Sequence, residues 1–191
     1  MDEQDHISLR VDQVRGLRSA ARRTTQLANQ LLALSRADVT TADSSATQRV
    51  DLKDLCETVL ALYLDAAAAK HIDLGLAAEP TQVNGHAWLL RELLINLLDN
   101  AIKYTPPHGL VKLRCGPGQA AGPWLAVEDN GPGIAPAERE RVLQRFYRVP
   151  GSATDGNGLA IAHEIAWAHG TQLVLVPGDR GEGLRVGVVF L

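Results

Sequence analysis

One stretch constrains the fold more than any other. From Trp88 to Tyr104, apolar residues occupy nearly every position except one polar stripe. Wound as a helix at about 100° per residue, Glu92, Asn96, Asp99, Asn100 and Lys103 fall within a sector of roughly 100°. Leu90, Leu93, Leu94, Ile95, Leu97, Leu98, Ala101 and Ile102 cover the remainder. A helix so apolar must be buried on most sides, so the chain needs further layers around it. Pro106 and Pro107 end it. The stripe faces either water or a cavity. Asparagine is a poor helix former, and two of them one turn apart weaken a helix. A solvated face is one reading. The other is a ligand site, in which the Asn96 and Asn100 amides reach one hard cation or its waters and Lys103 meets phosphate.

The surroundings of this helix predict its partners. Leu52, Leu55, Cys56, Val59, Leu62 and Tyr63 have helical spacing, with Asp51 near the start where an acid suits the helix dipole. Strands are expected over His71 to Leu76, Gln82 to Asn84, Leu110 to Cys115, Trp124 to Glu128, Gln172 to Val176 and Leu184 to Leu191. Ala137 to Arg145 and Leu159 to Ala168 read as helices, and Arg148 to Asn157 as a loop. Helices and strands mixed in this order predict an α/β two-layer sandwich, a mixed sheet packed on helices.

The first residues differ. Val14, Leu17, Ala21, Thr24, Ala28, Leu31 and Ser35 recur at spacings of three and four, as on a helix packed in a bundle. A long helix with so narrow a stripe needs partner helices. The expected organisation is residues 1–38 as a long helix that needs partner helices, 39–48 as a polar linker, and 49–191 as the α/β domain.

Composition removes several classes of function. With 46% hydrophobic and 21% charged residues, the 191-residue chain is of an ordinary globular kind. A net charge of -3 and 4% aromatics disfavour a nucleic-acid partner. Two cysteines, Cys56 and Cys115, support no disulfide framework, and a reducing compartment fits. Cys56 is expected in the core and Cys115 on a strand without a partner. No apolar run is long enough to span a bilayer, and the polar start is unlike a signal peptide.

Two glycine-bearing segments accompany the helix. Glu128-Asp129-Asn130-Gly131-Pro132-Gly133-Ile134 lies between a predicted strand and a predicted helix. It reads as ordinary turn chemistry, or as a place where a flat ligand approaches the backbone and Asp129 accepts from an exocyclic amine. Thr154-Asp155-Gly156-Asn157-Gly158-Leu159 leads into a helix, whose free N–H groups suit phosphate. No Gly-Lys-Ser/Thr follows, so it is not a Walker A loop.

In order and spacing, these segments resemble the Bergerat-type ATP-binding domain shared by bacterial sensor histidine kinases, gyrase, Hsp90 and MutL, most closely the kinases. RELLINLLDNAIKYTP resembles their N box, DNGPGI the first glycine box, RFYR the F box and GNGLAIA the second glycine box. QLLALSRAD resembles the end of the second helix of their dimerisation and phosphotransfer hairpin.

The resemblance implies ATP and Mg²⁺ as cofactors and transfer of the γ-phosphoryl group to a histidine. It implies that Asn100 coordinates Mg²⁺, Asn96 helps to place it and Lys103 contacts phosphate. Tyr104 packs near base or ribose, Asp129 binds the adenine amine, and Gly131, Gly133 and Ile134 shape the pocket. Phe146 anchors a lid, Arg148 or Arg145 approaches the phosphates, and Gly156, Gly158 and Leu159 let the lid close. Implied partners are a response regulator and the helices of its own hairpin and of a second protomer. The implied location is the cytoplasmic portion of a bacterial inner-membrane protein, whose membrane segments lie outside this sequence.

Two departures stand out. The second glycine box lacks its first glycine and carries Asn157 where the family has Leu. The family's His-Glu-Leu-Arg-Thr-Pro acceptor box does not occur, and His6 in HISLR is the nearest stretch, so the acceptor is expected outside this chain. A serine kinase of the anti-sigma-factor type, or a degenerate non-catalytic ATP module, are the alternatives.

Overall fold

A computed structural model describes residues 47–118, 121–144, 147, 158–179 and 181–190. The predicted hairpin helix, most of the linker, His6, and site candidates Arg145, Phe146, Arg148 and Gly156 lie outside them.

The chain opens with strand β1 (Gln48–Asp51), which pairs antiparallel with β3 (Gln82–Gly85) in a two-stranded sheet. Asp51 then caps helix α1 (Leu52–Ala61): its carboxylate accepts the N–H groups of Lys53 and Asp54. That satisfies two of the orphan donors of a helix start, so the acid is a cap as well as a dipole partner. A short helix α2 (Leu64–Ala69) follows, then strand β2 (Asp73–Ala78). The Ala-rich LDAAAA of α2 carries too little apolar periodicity to be visible in the sequence, and β1 is only four residues long.

The apolar helix is α3, Ala87–Tyr104. Strands β4 (Leu110–Gly116) and β5 (Trp124–Asp129), helix α4 (Gly158–Ala168), and strands β6 (Leu173–Val176) and β7 (Leu184–Val189) complete the domain. The main sheet has the order β2-β4-β5-β7-β6; β2 runs parallel to β4 and every other pairing is antiparallel. The expected two-layer sandwich with a mixed sheet is therefore present.

Its core forms where the two periodicities meet. Val111, Leu113 and Cys115 of β4, Leu125 and Val127 of β5, and Leu184, Val186 and Val188 of β7 point inward. The period of two gives each strand one face for the helices. Leu90, Leu93, Leu94 and Leu98 of α3 are fully buried against it, with α1 and α4 alongside. Truncating one of these leucines to alanine costs about 2–5 kcal/mol.

Two expectations fail. Residues 137–145 do not form a helix; two 3₁₀ turns, Pro136–Glu138 and Arg141–Leu143, stand there. Five of its nine residues are charged, and Val142 is its only buried side chain among the described residues, so no apolar stripe holds a helix in place. Its side chains bond elsewhere: Arg139 donates to the carbonyls of Ile134 (3.2 Å) and Leu175 (3.4 Å). Cys115 also does have a partner. It meets Cys56 across the α1–β4 interface, where the thiol–thiol hydrogen bond, and burial after it, push Cys56 far above the ordinary thiol range. Residues distant in sequence become neighbours because both lie on inward faces.

Candidate nucleotide site

The stripe of α3 is not a uniform solvated face. Asn96 is buried, and its Nδ2 donates to the Glu92 carbonyl one turn back at 2.8 Å. Burial also raises the Glu92 carboxyl above the usual range. Asp99 and Lys103 are exposed. Asn100 lies between these extremes, and its Nδ2 is buried with no hydrogen-bond partner among the described residues. An unmet buried donor costs roughly 1–3 kcal/mol, so natural folds rarely retain one without use.

What stands over Asn100 is the start of α4. A Cβ on Gly158 would lie 2.6 Å from Asn100 Nδ2 and 2.9 Å from Oδ1. Any larger residue would push the helix start away. The first turn of α4, whose leading N–H groups have no partner within the helix and which carries the positive dipole end, therefore sits directly on the asparagine. Leu159, the next residue, is half-buried against the core and anchors that turn.

The other end of α3 meets the strand end of β5. Thr105 leaves the helix in an extended conformation, as a residue before proline must. Lys70 Nζ caps the helix by donating to the carbonyls of Ile102 and Lys103, both at 2.8 Å. Lys103 Nζ lies 5.5 Å from the centre of the half-exposed Tyr104 ring. A Cβ on Gly131 would lie 3.2 Å from the Tyr104 carbonyl and 2.9 Å from Asp129 Oδ1. The glycine thus lets the turn pass between helix and carboxylate. Asn130 holds that turn to β4, its Oδ1 accepting from Leu110 N at 2.6 Å.

Asp129 is the last residue of β5. Its carboxylate accepts the N–H of Gly131 at 2.8 Å and that of Leu184. Desolvation dominates these bonds and raises its pKa to about 6. Two backbone donors still leave carboxylate lone pairs for an amine. Gly133 has φ +69°, a left-handed turn, and its Cα faces the Gly183 carbonyl, which a Cβ would approach to 2.8 Å. Ile134 is half-buried and packs on the core.

The predicted residues therefore gather in two places. Asn96, Asn100, Gly158 and Leu159 form one cluster, and Tyr104, Gly131, Gly133, Ile134 and Asp129 form the other, with Lys103 beside Tyr104. Leu184 and Lys70 were not anticipated, because their contribution depends on a strand pairing and a helix end set by the fold. Among the described residues no group of three or more His, Cys, Asp or Glu could hold a metal ion. A divalent cation here would depend on amide, phosphate and water oxygens.

Comparison with known proteins agrees with this geometry. The profile of the family described as histidine kinase-, DNA gyrase B- and HSP90-like ATPase matches residues 85–190. The sensor protein kinase PmrB of Pseudomonas aeruginosa is 36% identical over 182 residues, covering 91% of this chain and 37% of that protein. The sensor protein QseC of Escherichia coli is 35% identical over 169 residues, covering 86% of this chain and 36% of that protein. The mycobacterial sensor histidine kinase MprB, a solved structure, superposes with a TM-score of 0.66 at 30% identity, covering 74% of this chain and 95% of its own. The chain thus spans little more than a third of the length of these curated relatives. The two glycine-bordered clusters, the Bergerat-type sandwich and these matches agree: the chain belongs to the sensor histidine kinase family and carries its ATP-binding catalytic domain.

Proposed function

We propose that this domain binds ATP with Mg²⁺ and transfers the γ-phosphoryl group to a histidine of the phosphotransfer hairpin, for relay to a response regulator. The observation that carries the reading is the buried, unpartnered Asn100 Nδ2 beneath the glycine start of α4. A triphosphate entering there would supply the missing acceptor. Its charge would meet the helix N-terminus on one side and Lys103 on the other. The asparagine amide oxygen suits Mg²⁺, which keeps most of its waters and takes few protein ligands. Bound there, Mg²⁺ would neutralise charge on the phosphates. Asn96 braces the same helix turn. Asp129 would accept the adenine amine, with Gly131, Gly133 and Ile134 shaping the pocket and Tyr104 beside base or ribose. Gly156, Phe146 and Arg148 keep their proposed lid roles from the family resemblance.

The reaction breaks the bond between the γ-phosphorus and its bridging oxygen and forms a phosphorus–nitrogen bond to imidazole. Such transfer is mostly positioning and charge neutralisation, for which these residues suffice. The parent protein is proposed to be a dimeric inner-membrane receptor with this domain in the cytoplasm. No described helix is long and apolar enough to cross a membrane.

Titration of the chain with ADP and ATP in the presence of Mg²⁺ tests the binding step, and absence of binding at millimolar nucleotide would end the proposal. Supplying a separate hairpin that bears the acceptor box tests the transfer. Acid-labile phosphate on the hairpin is expected, and acid-stable phosphate on serine would favour the anti-sigma-factor type instead.

A further inference from the structure

The carboxylate proposed to read adenine sits at a ladder end, where strands fray most readily. Asp129 is the last residue of β5 and pairs with Leu184, the first residue of β7. One step back, Glu128 pairs with Arg185 on the opposite face of the sheet. Side chains alternate along a strand, so these neighbouring pairs serve different faces. The outer one is the centre of an ion cluster. Glu128 Oε2 accepts from Arg114 of β4 at 2.7 Å and from Arg185 of β7 at 3.0 Å. Glu128 Oε1 accepts the N–H of Asp179, in the β6–β7 connection, at 2.9 Å. The Asp179 carboxylate closes the cluster on Arg114 at 2.5 Å and on Arg185. One carboxylate thereby ties three strands and a loop together. The Glu128 side chain is only 14% exposed, so the cluster is not an ordinary surface pair, which would contribute little.

The loop that the cluster holds forms the back of the adenine end. A Cβ on Gly183 would lie 2.7 Å from Asn130 Cα, and one on Gly178 would lie 3.5 Å from the Asp129 carbonyl. The Gly183 carbonyl abuts Gly133. Leu184, whose N–H holds the Asp129 carboxylate, stands between Gly183 and Arg185.

We propose that Glu128 and Arg185, with Arg114 and Asp179, are positioning residues for base recognition: an ion clamp on the outer face of the sheet that pins the ladder end and so holds the Asp129 carboxylate in place. This rests on the reading of Asp129 as the adenine acceptor. The clamp lies on the sheet face opposite the Asp129 side chain, so it acts on discrimination of the base and leaves phosphate binding alone.

The test is competitive binding of ATP and GTP, with Mg²⁺, to the whole chain and to Arg185→Ala, Arg185→Lys, Glu128→Gln and Asp129→Asn. In Arg185→Ala the ATP-over-GTP preference should fall about tenfold, as when an orienting outer residue is lost from a site. Arg185→Lys, which keeps one charged donor, should recover part of it. Glu128→Gln keeps the shape and should fall between them, and it serves if Arg185→Ala folds poorly. An unchanged preference in both Arg185→Ala and Glu128→Gln would overturn the clamp. So would equal weakening of ATP and GTP, the sign of general loosening. Asp129→Asn separates the two ideas: if it alone loses the preference, the clamp fails and the adenine reading stands. If even Asp129→Asn keeps the preference, the adenine reading itself has failed.

Discussion

The Asn100 end of the site and its Asp129 end differ in how much hydrogen bonding the protein itself supplies. Asp129 is held by two backbone N–H groups and backed by a loop fastened from the far face of the sheet. Asn100 has a buried donor with no acceptor among the described residues. On the proposed reading, the first end is organised before nucleotide arrives, and the second would be completed by it. A pre-formed end costs little ordering on binding and selects the base, whereas an incomplete end gains most when charge enters it. The contrast also fits the sequence between them. Asp129 sits between strand and turn, while Gly158 follows the glycine-bearing sequence Thr154-Asp155-Gly156-Asn157.

The largest expected effect breaks the incomplete end. Asn100→Ala should lower phosphoryl transfer to a supplied hairpin by about 10²–10³-fold, the usual loss when one aligned polar group is removed. Circular dichroism and thermal melting should show an intact fold, because Asn100 Nδ2 donates to no described residue of the free protein. Transfer near the wild-type rate would remove Asn100 from the site. Gly158→Ala comes next. Its Cβ would press on the Asn100 amide, and overpacking of about 1–3 kcal/mol predicts roughly tenfold weaker nucleotide binding. Calorimetric titration measures it.

Asp129→Asn tests the organised end and should split two quantities. Losing a charged acceptor should weaken ATP binding by roughly tenfold or more. The same change should raise the stability of the free protein at neutral pH. The folded pKa of about 6 lies above the ordinary 3.8, so the fold favours the neutral carboxyl. That contribution is full below 3.8 and is lost as pH rises through about 6, leaving an unfavourable charge at pH 7 that Asn does not carry. Accordingly, ATP affinity of the wild-type chain should fall as pH drops through about 6, and the Asn variant should lose that dependence.

The smallest effect concerns a strut between the start of α3 and the end of α4. His169, just past α4, accepts the N–H of His86 on Nε2 at 3.1 Å, and its Nδ1 donates to the Ile165 carbonyl at 2.8 Å. Both bonds require the neutral ring with its proton on Nδ1. Burial lowers its pKa, so the stability it adds is present above the unfolded value of 6.5 and is lost as pH falls below it. His169→Ala should cost about 1–3 kcal/mol by leaving the His86 N–H unmet, and should flatten the acid limb of a melting-temperature profile.

Much of the site was legible because its signals are local. The helical spacing of Asn96 and Asn100, the alternate glycines after β5 and the glycine entry to α4 each need only a few consecutive residues. Legibility ended where the deciding neighbour was remote. Cys115 read as partnerless because Cys56 lies on another element. The 137–145 stretch read as helix because helix propensity counts charged residues as favourable, whereas Arg139 bonds instead to Ile134 and Leu175. Glu128 read as the residue before the motif, because Arg114, Asp179 and Arg185 come to it from three other segments.

By itself, then, the sequence determined most of the elements that form, which of their faces are apolar, and which short motifs suit nucleotide binding. These follow from periodicity, capping and turn preferences acting over a few residues. Only the tertiary structure decided that Asn100 lies beneath Gly158 with its donor unmet, and that Asp129 is gripped by Leu184 and steadied from the opposite face. Those facts depend on strand register and helix packing, which bring together residues 50 or more positions apart through the burial of a common core.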